Sequence, residues 1–192
     1  MGHSQAEKAK NRERILAEAA EQIRETGLEA LSVGKLMQKV NLTHGGFYGH
    51  FPSRSDLIAQ ALKRALDAGE AAARASRDPG RSRSFSAMVK SYLSRTHRDS
   101  RKTGCAISAL LSDVGRADEQ SRSVMETHIE DFIASVASAL ENNEDDSEAV
   151  AAVSAMIGAL AISRVITDPK RSDAILRAVK EHVIALKPDN PA

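Results

Sequence analysis

Apolar residues recur every three or four positions along most of the chain, which is the spacing of one face of an α-helix. The first such segment runs over Gln5–Thr26. Its apolar face is formed by Ile15, Leu16, Ala19, Ala20 and Ile23. Gly27 follows at the position where a helix C-cap is expected. The sequence therefore predicts one long amphipathic helix near the start of the chain.

Two short helical segments follow, separated by a tight turn. Ser32 has the side chain of an N-cap, and a helix is predicted over Val33–Lys39. Asn41 lies in the turn, where a left-handed backbone is needed and asparagine tolerates it. Thr43 caps a second helix, predicted over about 44–50. The inward anchors of this second helix are Phe47 and Phe51.

Further helices are predicted along the remaining chain, and no segment shows the alternation that is typical of a β-strand. They cover about 54–75, 84–95, 104–115, 119–141 and 148–166, and a last helix ends near Leu186. Polar residues at 97–103 predict a loop, as does the Pro-Gly segment at 78–82. The fold class is therefore all-α, with about nine or ten helices.

Charge is distributed unevenly between the two halves of the chain, although the net charge is only +1. Residues 1–105 carry 19 Lys and Arg against 11 Asp and Glu, and residues 106–192 carry 8 against 15. A positive N-terminal half indicates contact with nucleic acid, while random scatter of surface charge is the alternative.

One cysteine, Cys105, excludes an intramolecular disulfide and fits a cytoplasmic location. The longest apolar run, 149–162, is bounded by Glu148 and Arg164 and is too short to span a bilayer. We therefore expect a buried helix there and no membrane partner.

Two short helices joined by a tight turn and packed on a longer helix form a helix-turn-helix, which places its second helix in the DNA major groove. Glycine costs roughly 1 kcal/mol relative to alanine in a helix, so three glycines in one short helix favour a functional reason. That reason is close approach of the backbone to bases and phosphates, and the alternative is a loop. The outward residues are His44, Gly45, Gly46, Tyr48, Gly49 and His50.

The segment Thr-His-Gly-Gly-Phe-Tyr-Gly-His-Phe-Pro-Ser-Arg-Ser-Asp-Leu at 43–57 resembles the recognition segment of TetR-family transcriptional regulators. The resemblance extends back through 30–37 and covers about the first third of the chain. Two positions depart from the family pattern. Asn41 replaces the usual glycine of the turn, and Arg54 replaces the usual lysine at the start of the next helix.

The resemblance implies roles for nine residues on double-stranded DNA. Tyr48, His50 and Arg54 would contact phosphates. Thr43, His44 and Gly45 would lie nearest the bases, with Gly46 beside them, and Ser32 and Lys35 would touch the backbone. Core packing is the alternative for Tyr48, and a surface cap is the alternative for His50. His44 alone cannot specify a base, because a neutral imidazole offers one donor and one acceptor.

One helix-turn-helix touches too few bases for operator specificity, so we expect a homodimer on a palindromic operator. The long helices at about 119–141 and 148–166 would form a four-helix bundle with their symmetry mates. The alternative is that their apolar stripes are used in the monomer core. The expected domains are a helix-turn-helix domain at 1–55 and a ligand-binding and dimerisation domain at 56–192, linked by the helix at about 54–75.

Members of the resembled family usually bind a small-molecule effector in the C-terminal domain, which spreads the two readers and lowers DNA affinity. Candidate walls of an apolar pocket are Met88, Tyr92, Leu93, Cys105, Ala109, Met125, Ile129, Phe132 and Met156. Each of them is also an ordinary core residue by type.

Cys105 is also a candidate redox sensor. It follows Arg101, Lys102 and Gly104 near a predicted helix start, and cations and helix N-termini lower the pKa of a thiol. A Gly-Cys pair here resembles family members that sense electrophiles or oxidants, some of which use a nearby lysine, where this chain has Arg164. An inert buried cysteine is the alternative.

Two other functions compete with a regulated DNA reader. One is an enzyme with Cys105 as nucleophile and His97 or His128 as base. The other is a DNA-binding protein that responds to no ligand. Because no zinc-protease, phosphate-loop or nucleophile-elbow motif occurs, we expect no catalytic residue, metal or cofactor.

Overall fold

The computed structural model describes residues 5–75, 84–141 and 145–187, and the regular structure in these ranges is entirely helical. The helices are α1 (Gln5–Thr26), α2 (Val33–Lys39), the 3₁₀-helix η1 (His44–Gly49), α3 (Arg54–Ala75), α4 (Phe85–Tyr92), α5 (Arg95–Asp99), α6 (Ala106–Val114), α7 (Glu119–Leu140), α8 (Ser147–Val165) and α9 (Pro169–Ile184). This confirms the predicted all-α class. The predicted loop at 78–82 lies outside the described residues.

The predicted helix at 84–95 is wrong at its C-terminal end. Helix α4 ends at Tyr92, and α5 occupies part of the segment that the sequence predicts as a loop. The hydroxyl of Ser94 accepts the N–H of His97 at 3.1 Å, which caps a new helix directly after the first one ends. Serine at this position therefore divides one predicted helix into two.

The predicted second helix of the helix-turn-helix is a 3₁₀-helix rather than an α-helix. The Thr43 hydroxyl caps it by accepting the N–H of Gly46 at 3.3 Å. A short, glycine-rich segment gains little from α-helical packing, and 3₁₀ geometry is common in pieces of this length.

Both predicted left-handed positions are confirmed. Gly27 ends α1 with φ +87°, and Asn41 forms the turn after α2 with φ +56°. The turn is closed by the N–H of Leu42, which donates to the carbonyl of Met37 at 2.9 Å. These two residues set the angle between α1, α2 and η1.

The helix-turn-helix has its own core beneath η1. Phe47 and Phe51 are buried and stack with ring centroids 5.7 Å apart, as predicted. They meet Leu36 and Met37 from α2 and Ile15 from α1, all fully buried. Burying each of these large side chains contributes about 2 kcal/mol, so η1 is held by its anchors rather than by helix propensity.

Helix α3 connects the helix-turn-helix to the rest of the protein. Its N-terminal half packs against α1, and it also packs against α7 and α6. Leu57, Leu62 and Ala65 are completely buried along this length. Arg24 of α1 donates to the carbonyl of Ala65 at 3.2 Å and ties the two helices together.

The apolar stripe of α7 faces the interior of the monomer. Met125, Val136 and Leu140 are buried, and Ile129 and Phe132 pack against the same core. The outward face of α7 is polar and largely acidic, with Glu119, Arg122, Glu126, Glu130 and Asp131 exposed. The stripe that was expected to pair with a symmetry mate is therefore used inside the chain.

Helix α8 is long and apolar enough, by length and composition, to cross a membrane. In this fold 44% of its apolar window is buried, and it packs against α7, α9 and α6. Such packing is typical of a core helix, as the sequence predicts.

Candidate nucleic-acid interface and regulatory site

The 3₁₀-helix η1 presents its anchors inward and its predicted readers outward. Phe47 is buried, whereas the neighbouring Tyr48 is 69% exposed. The Tyr48 ring contacts only the edge of Phe47, at 5.2 Å between centroids. This exposure contradicts the alternative that Tyr48 is a core residue. Of the other predicted DNA-contacting residues, those fully exposed are Lys35, Thr43, His44 and Gly45.

The remaining residues that are predicted to contact DNA also make contacts within the protein. The Ser32 hydroxyl accepts the N–H of Lys35 at 3.5 Å and caps α2, as predicted. Gly46 is half-buried beside the Thr43 cap. His50 is half-buried at the end of η1, with its ring 6.5 Å from that of Phe51. Each residue therefore helps to hold the surface that it belongs to.

Arg54 is placed differently from the sequence-based expectation. Its guanidinium turns back to the connection between α1 and α2 and donates to the carbonyls of Leu31, Leu28 and Glu29 at 3.2, 2.9 and 3.1 Å. A phosphate contact by Arg54 stays a prediction. The observed contacts show that it joins α3 to the helix-turn-helix.

Cys105 is the N-cap of α6 and lies in a network of hydrogen bonds. Its half-buried sulfur accepts from the Tyr92 hydroxyl at 3.1 Å and from the N–H of Ser108 at 3.4 Å. Burial and the neighbouring sulfur raise the pKa of Tyr92 well above its usual value. The phenol is therefore kept protonated and remains a donor to the thiol.

His97 lies beside this cysteine but contacts its backbone. The imidazole accepts the N–H of Cys105 through Nε2 at 3.0 Å, and its Nδ1 lies 2.7 Å from the carbonyl of Tyr92. Burial lowers the pKa of His97, which favours the neutral ring that this pairing requires. Since both ring nitrogens are engaged, His97 is not arranged as a base for the thiol.

His128 makes its contacts with α3 and not with Cys105. Its ring lies between two carboxylates of α3, with Nδ1 2.7 Å from Glu70 and Nε2 3.4 Å from Asp67. The two histidines that were considered as catalytic bases are thus committed elsewhere, and neither forms a nucleophile–base pair with the cysteine.

Arg164 contacts the backbone before Cys105 and a side chain after it. Its guanidinium donates to the carbonyls of Arg98 and His97 at 3.1 and 3.2 Å and to the Ser108 hydroxyl at 3.0 Å. The sequence-based expectation that Arg164 lies near Cys105 is therefore consistent with the structure. The hydrogen bonds of Arg164 are made to residues around Cys105 and not to its sulfur.

The residues proposed as pocket walls are brought together but are packed. Leu93, Met125 and Met156 are buried, and the other six lie half-buried against the same core. Tyr92 and Phe132 are in ring contact at 5.3 Å. Opening of this cluster around a ligand stays a prediction.

Nothing in the sequence pattern predicts a contact between α6 and the helix-turn-helix. Asp113, in the last turn of α6, accepts the N–H of Leu28 through Oδ2 at 3.0 Å. Lys102 also pairs with Glu25 of α1 at 3.6 Å. No periodicity connects residues so far apart in sequence. Helix α6 thus has Cys105 at one end and the DNA-reading domain at the other.

Comparison with known proteins supports the resemblance seen in the sequence. Residues 15–61 match the family model of bacterial regulatory proteins of the TetR family. They include the C-terminal half of α1, all of α2 and η1, and the first turns of α3, which form the helix-turn-helix and its support. The segment 15–61 is therefore a TetR-family domain.

Similarity to TetR-family proteins extends over nearly the whole chain. An uncharacterised HTH-type transcriptional regulator of Mycobacterium tuberculosis is 28% identical over 191 residues, covering 93% of this chain and 96% of its own length. Among solved structures, E. coli NemR in its reduced form has a TM-score of 0.75 at 22% identity and covers 92% of this chain and 96% of its own. A TetR regulator from Chloroflexus aurantiacus has a TM-score of 0.77 at 18% identity, with coverage of 94% and 95%. The Mycobacterium tuberculosis and Chloroflexus aurantiacus proteins are named as transcriptional regulators, and the domain matched at residues 15–61 is that of regulatory proteins rather than of enzymes.

We expect Gly45→Ala to separate stability from DNA binding. A Cβ at Gly45 would meet no atom within 4 Å in the free protein. The stability should therefore stay the same or rise by up to about 1 kcal/mol. Affinity for a selected DNA site should fall about tenfold, because the added methyl group holds the backbone away from DNA. Urea unfolding and fluorescence anisotropy measure the two effects.

Gly69→Ala is the matched control, because a Cβ at Gly69 on α3 also meets open space. It should stabilise the helix without changing DNA affinity. Equal affinity of Gly45→Ala and the unaltered protein would contradict close approach at this glycine.

We expect Arg54→Lys to destabilise the protein even though it conserves charge. An ammonium is a compact point donor and does not reproduce the fork that reaches three carbonyls. A loss of about 1 kcal/mol is expected, measured by urea unfolding. Unchanged stability would show that the contacts of Arg54 with the α1–α2 connection are dispensable, and would leave phosphate binding as its main role.

Proposed function

We propose that this chain is a homodimeric repressor that binds a palindromic operator and is released by an effector acting on its C-terminal helices. The observation that carries the proposal is the division within η1, where Phe47 is buried and Tyr48, His44 and Gly45 are exposed on one convex surface. Residues 1–55 would be the reader, α3 the link, and residues 56–192 the regulatory domain. A cytoplasmic location is part of the same proposal.

The dimer interface that we favour is formed by α8 and α9. One face of α8 is exposed, uncharged and built from small and apolar residues. Its exposed residues are Val150, Ala151, Ser154, Ile162 and Val165, and Gly158 and Ala161 lie half-buried between them. Helix α9 packs antiparallel beside α8 and adds Ala174 and Ala178. The proposed interface retains α8, which the sequence also predicts. It uses α9 in place of α7, because the exposed face of α7 is acidic.

Helix α6 is the element that we propose carries the effector signal. Cys105 caps its N-terminus, and Asp113 near its C-terminus holds the N–H of Leu28. Covalent modification of the sulfur would break its hydrogen bonds from Tyr92 and Ser108 and thereby disturb the start of the helix. A shift of α6 along its axis would then reach the reader directly. An apolar ligand between Tyr92 and Phe132 would act on the same helix.

Selection of bound fragments from the source genome tests the DNA-binding part. The expected result is one enriched palindrome with half-sites about one helical turn apart. Binding that is tight and salt-sensitive but indifferent to sequence would instead support a DNA-binding protein without operator choice. Reporter expression from the selected site then separates repression from activation.

The sensing role of Cys105 is tested with the selected operator. Treatment with N-ethylmaleimide or hydrogen peroxide should release the unaltered protein and leave Cys105→Ser bound. Ser94→Ala, which removes a cap on the same surface without touching the sulfur, serves as a control for local disturbance. Release of Cys105→Ser by the same reagents would contradict sensing by this thiol.

A further inference from the structure

A small cavity lies beside Arg164, and Cys105 is not among the residues that line it. The cavity has a volume of about 190 Å³ and is formed where α5 and the α5–α6 connection meet the corner between α8 and α9. Its lining is mostly polar. The lining residues are Arg98, Asp99, Arg101, Ser163, Arg164, Ile166, Thr167, Pro169 and Ser172. None of them belongs to the predicted apolar pocket.

The cavity has an excess of positive charge. Three guanidinium groups line it, against one carboxylate, that of Asp99. Arg98 is already neutralised, because it pairs with Asp99 at 2.7 Å and with Asp173 at 2.8 Å. These pairs occupy the one acidic side chain of the lining. The Asp99 carboxylate also attracts Arg101 and Arg164 at longer range, but within the described residues neither arginine forms an ion pair with it, so the excess positive charge lies on these two side chains.

Arg164 shows this imbalance most clearly. Its hydrogen bonds go to two carbonyls and a hydroxyl, and within the described part of the chain it forms no ion pair. Burial lowers its pKa, which records the cost of holding this charge away from water. Arg101 donates to the carbonyl of Arg164 at 3.1 Å and, in the same described ranges, is likewise without an ion pair. Arg101 is exposed, whereas Arg164 is half-buried. A half-buried cation without a carboxylate is costly, and an anion in the cavity would offset that cost for Arg164.

We propose that this cavity binds a small oxyanion, either the phosphate group or the carboxylates of a compact metabolite, between Arg101 and Arg164. Guanidinium groups suit both chemistries, because they donate charge-assisted N–H hydrogen bonds to phosphate and carboxylate oxygens alike. The cavity is smaller than the roughly 300–1,000 Å³ typical of pockets for drug-sized ligands, so the ligand is compact. Thr167 also lines the cavity and can offer a hydroxyl donor, whereas the Ser172 hydroxyl already donates to the carbonyl of Ser163 at 2.7 Å.

The site is adjacent to the cysteine without including it. An anion bound by Arg164 would share the guanidinium that contacts the backbone before Cys105. Binding therefore tightens this segment and slows labelling of the thiol. The expected change in labelling uses Cys105 only as a chemical probe. The anion site therefore does not depend on the sensing role proposed above for this cysteine.

Isothermal titration calorimetry of the full chain tests the site with inorganic phosphate, malonate and sodium chloride at matched ionic strength. We expect saturable binding of phosphate, malonate or both, and none of chloride. Phosphate alone indicates a phosphate-bearing ligand, and malonate alone indicates a carboxylate. Heat from neither anion, or an equal response to chloride, overturns the proposal.

Two variants locate the binding. Arg101→Gln should weaken it about tenfold, because it removes one charged donor while disturbing a single hydrogen bond to a carbonyl. Lys102→Gln removes the same charge from the adjacent residue, which does not line the cavity, and should change binding less than twofold. Equal weakening in both variants would indicate diffuse attraction and would overturn the assignment. So would unchanged binding by Arg101→Gln.

Labelling of Cys105 with a maleimide provides an independent readout. The rate should fall several-fold in saturating phosphate or malonate, and Arg101→Gln should need about tenfold more anion for the same protection. Protection of Arg101→Gln at the same anion concentration as the unaltered chain would also count against this site.

Discussion

Replacing Tyr48 with alanine is expected to weaken operator binding about a hundredfold while leaving the fold intact. Each subunit would lose one contact from the phenol to a phosphate, worth about 1.4 kcal/mol, and the dimer contains two copies. Tyr48 is 69% exposed and contacts only the edge of Phe47, so little packing is lost. Fluorescence anisotropy on the selected palindrome gives the affinity, and thermal unfolding gives the stability.

Tyr48→Phe separates the hydroxyl from the ring. It should reproduce most of the loss if the phenol donates to a phosphate, and little of it if the ring stacks or packs on the DNA. A Tyr48→Ala dimer that binds its operator within twofold of the unaltered protein would exclude this side chain from the interface.

The helix-turn-helix was predictable because its signals are local. Ser32 and Thr43 cap their own helices, and Asn41 adopts the left-handed turn that its side chain tolerates. Phe47 and Phe51 are separated by the spacing that buries both on one side. Each of these features involves residues a few positions apart, so the sequence contains the whole interaction.

The contacts that join the reader to the regulatory half were not predictable in this way. Arg54 was expected to face DNA, yet its guanidinium reaches the connection before α2, some 25 residues earlier. Asp113 and Leu28 are 85 residues apart. Periodicity shows which face of a helix is apolar, but it does not show which polar side chain meets a distant backbone group.

The same limitation applies to the choice between α7 and α8 for the dimer interface, which stays a prediction. The apolar stripe of α7 and that of α8 have similar spacing, and either could serve a core or a dimer. The structure separates them by what remains exposed after the monomer is packed: an acidic face on α7 and an uncharged face on α8. The composition of the exposed face of a helix is thus more informative about a dimer interface than the spacing of its apolar residues.

Ile162→Glu is expected to dissociate the dimer and, with it, to abolish operator binding. Ile162 is 52% exposed within the uncharged face of α8, so it gains its full burial only against a partner. The variant loses that burial in both subunits and places two carboxylates in an apolar interface, at a cost of about 4 kcal/mol or more. The dissociation constant of the dimer should rise about a thousandfold. Analytical ultracentrifugation across a dilution series measures it.

Leu111→Glu and Ala134→Glu are the matched controls. Leu111, on α6, is 45% exposed, so its variant makes nearly the same chemical change outside α8 and α9. Ala134 is exposed on α7, where a carboxylate joins an already acidic face. Both variants should remain dimeric if α8 and α9 form the interface. If instead Ala134→Glu dissociates and Ile162→Glu does not, the interface lies on α7. Each subunit contacts only one half-site of the operator. DNA affinity should therefore fall in whichever variant dissociates the dimer and stay unchanged in those that remain dimeric.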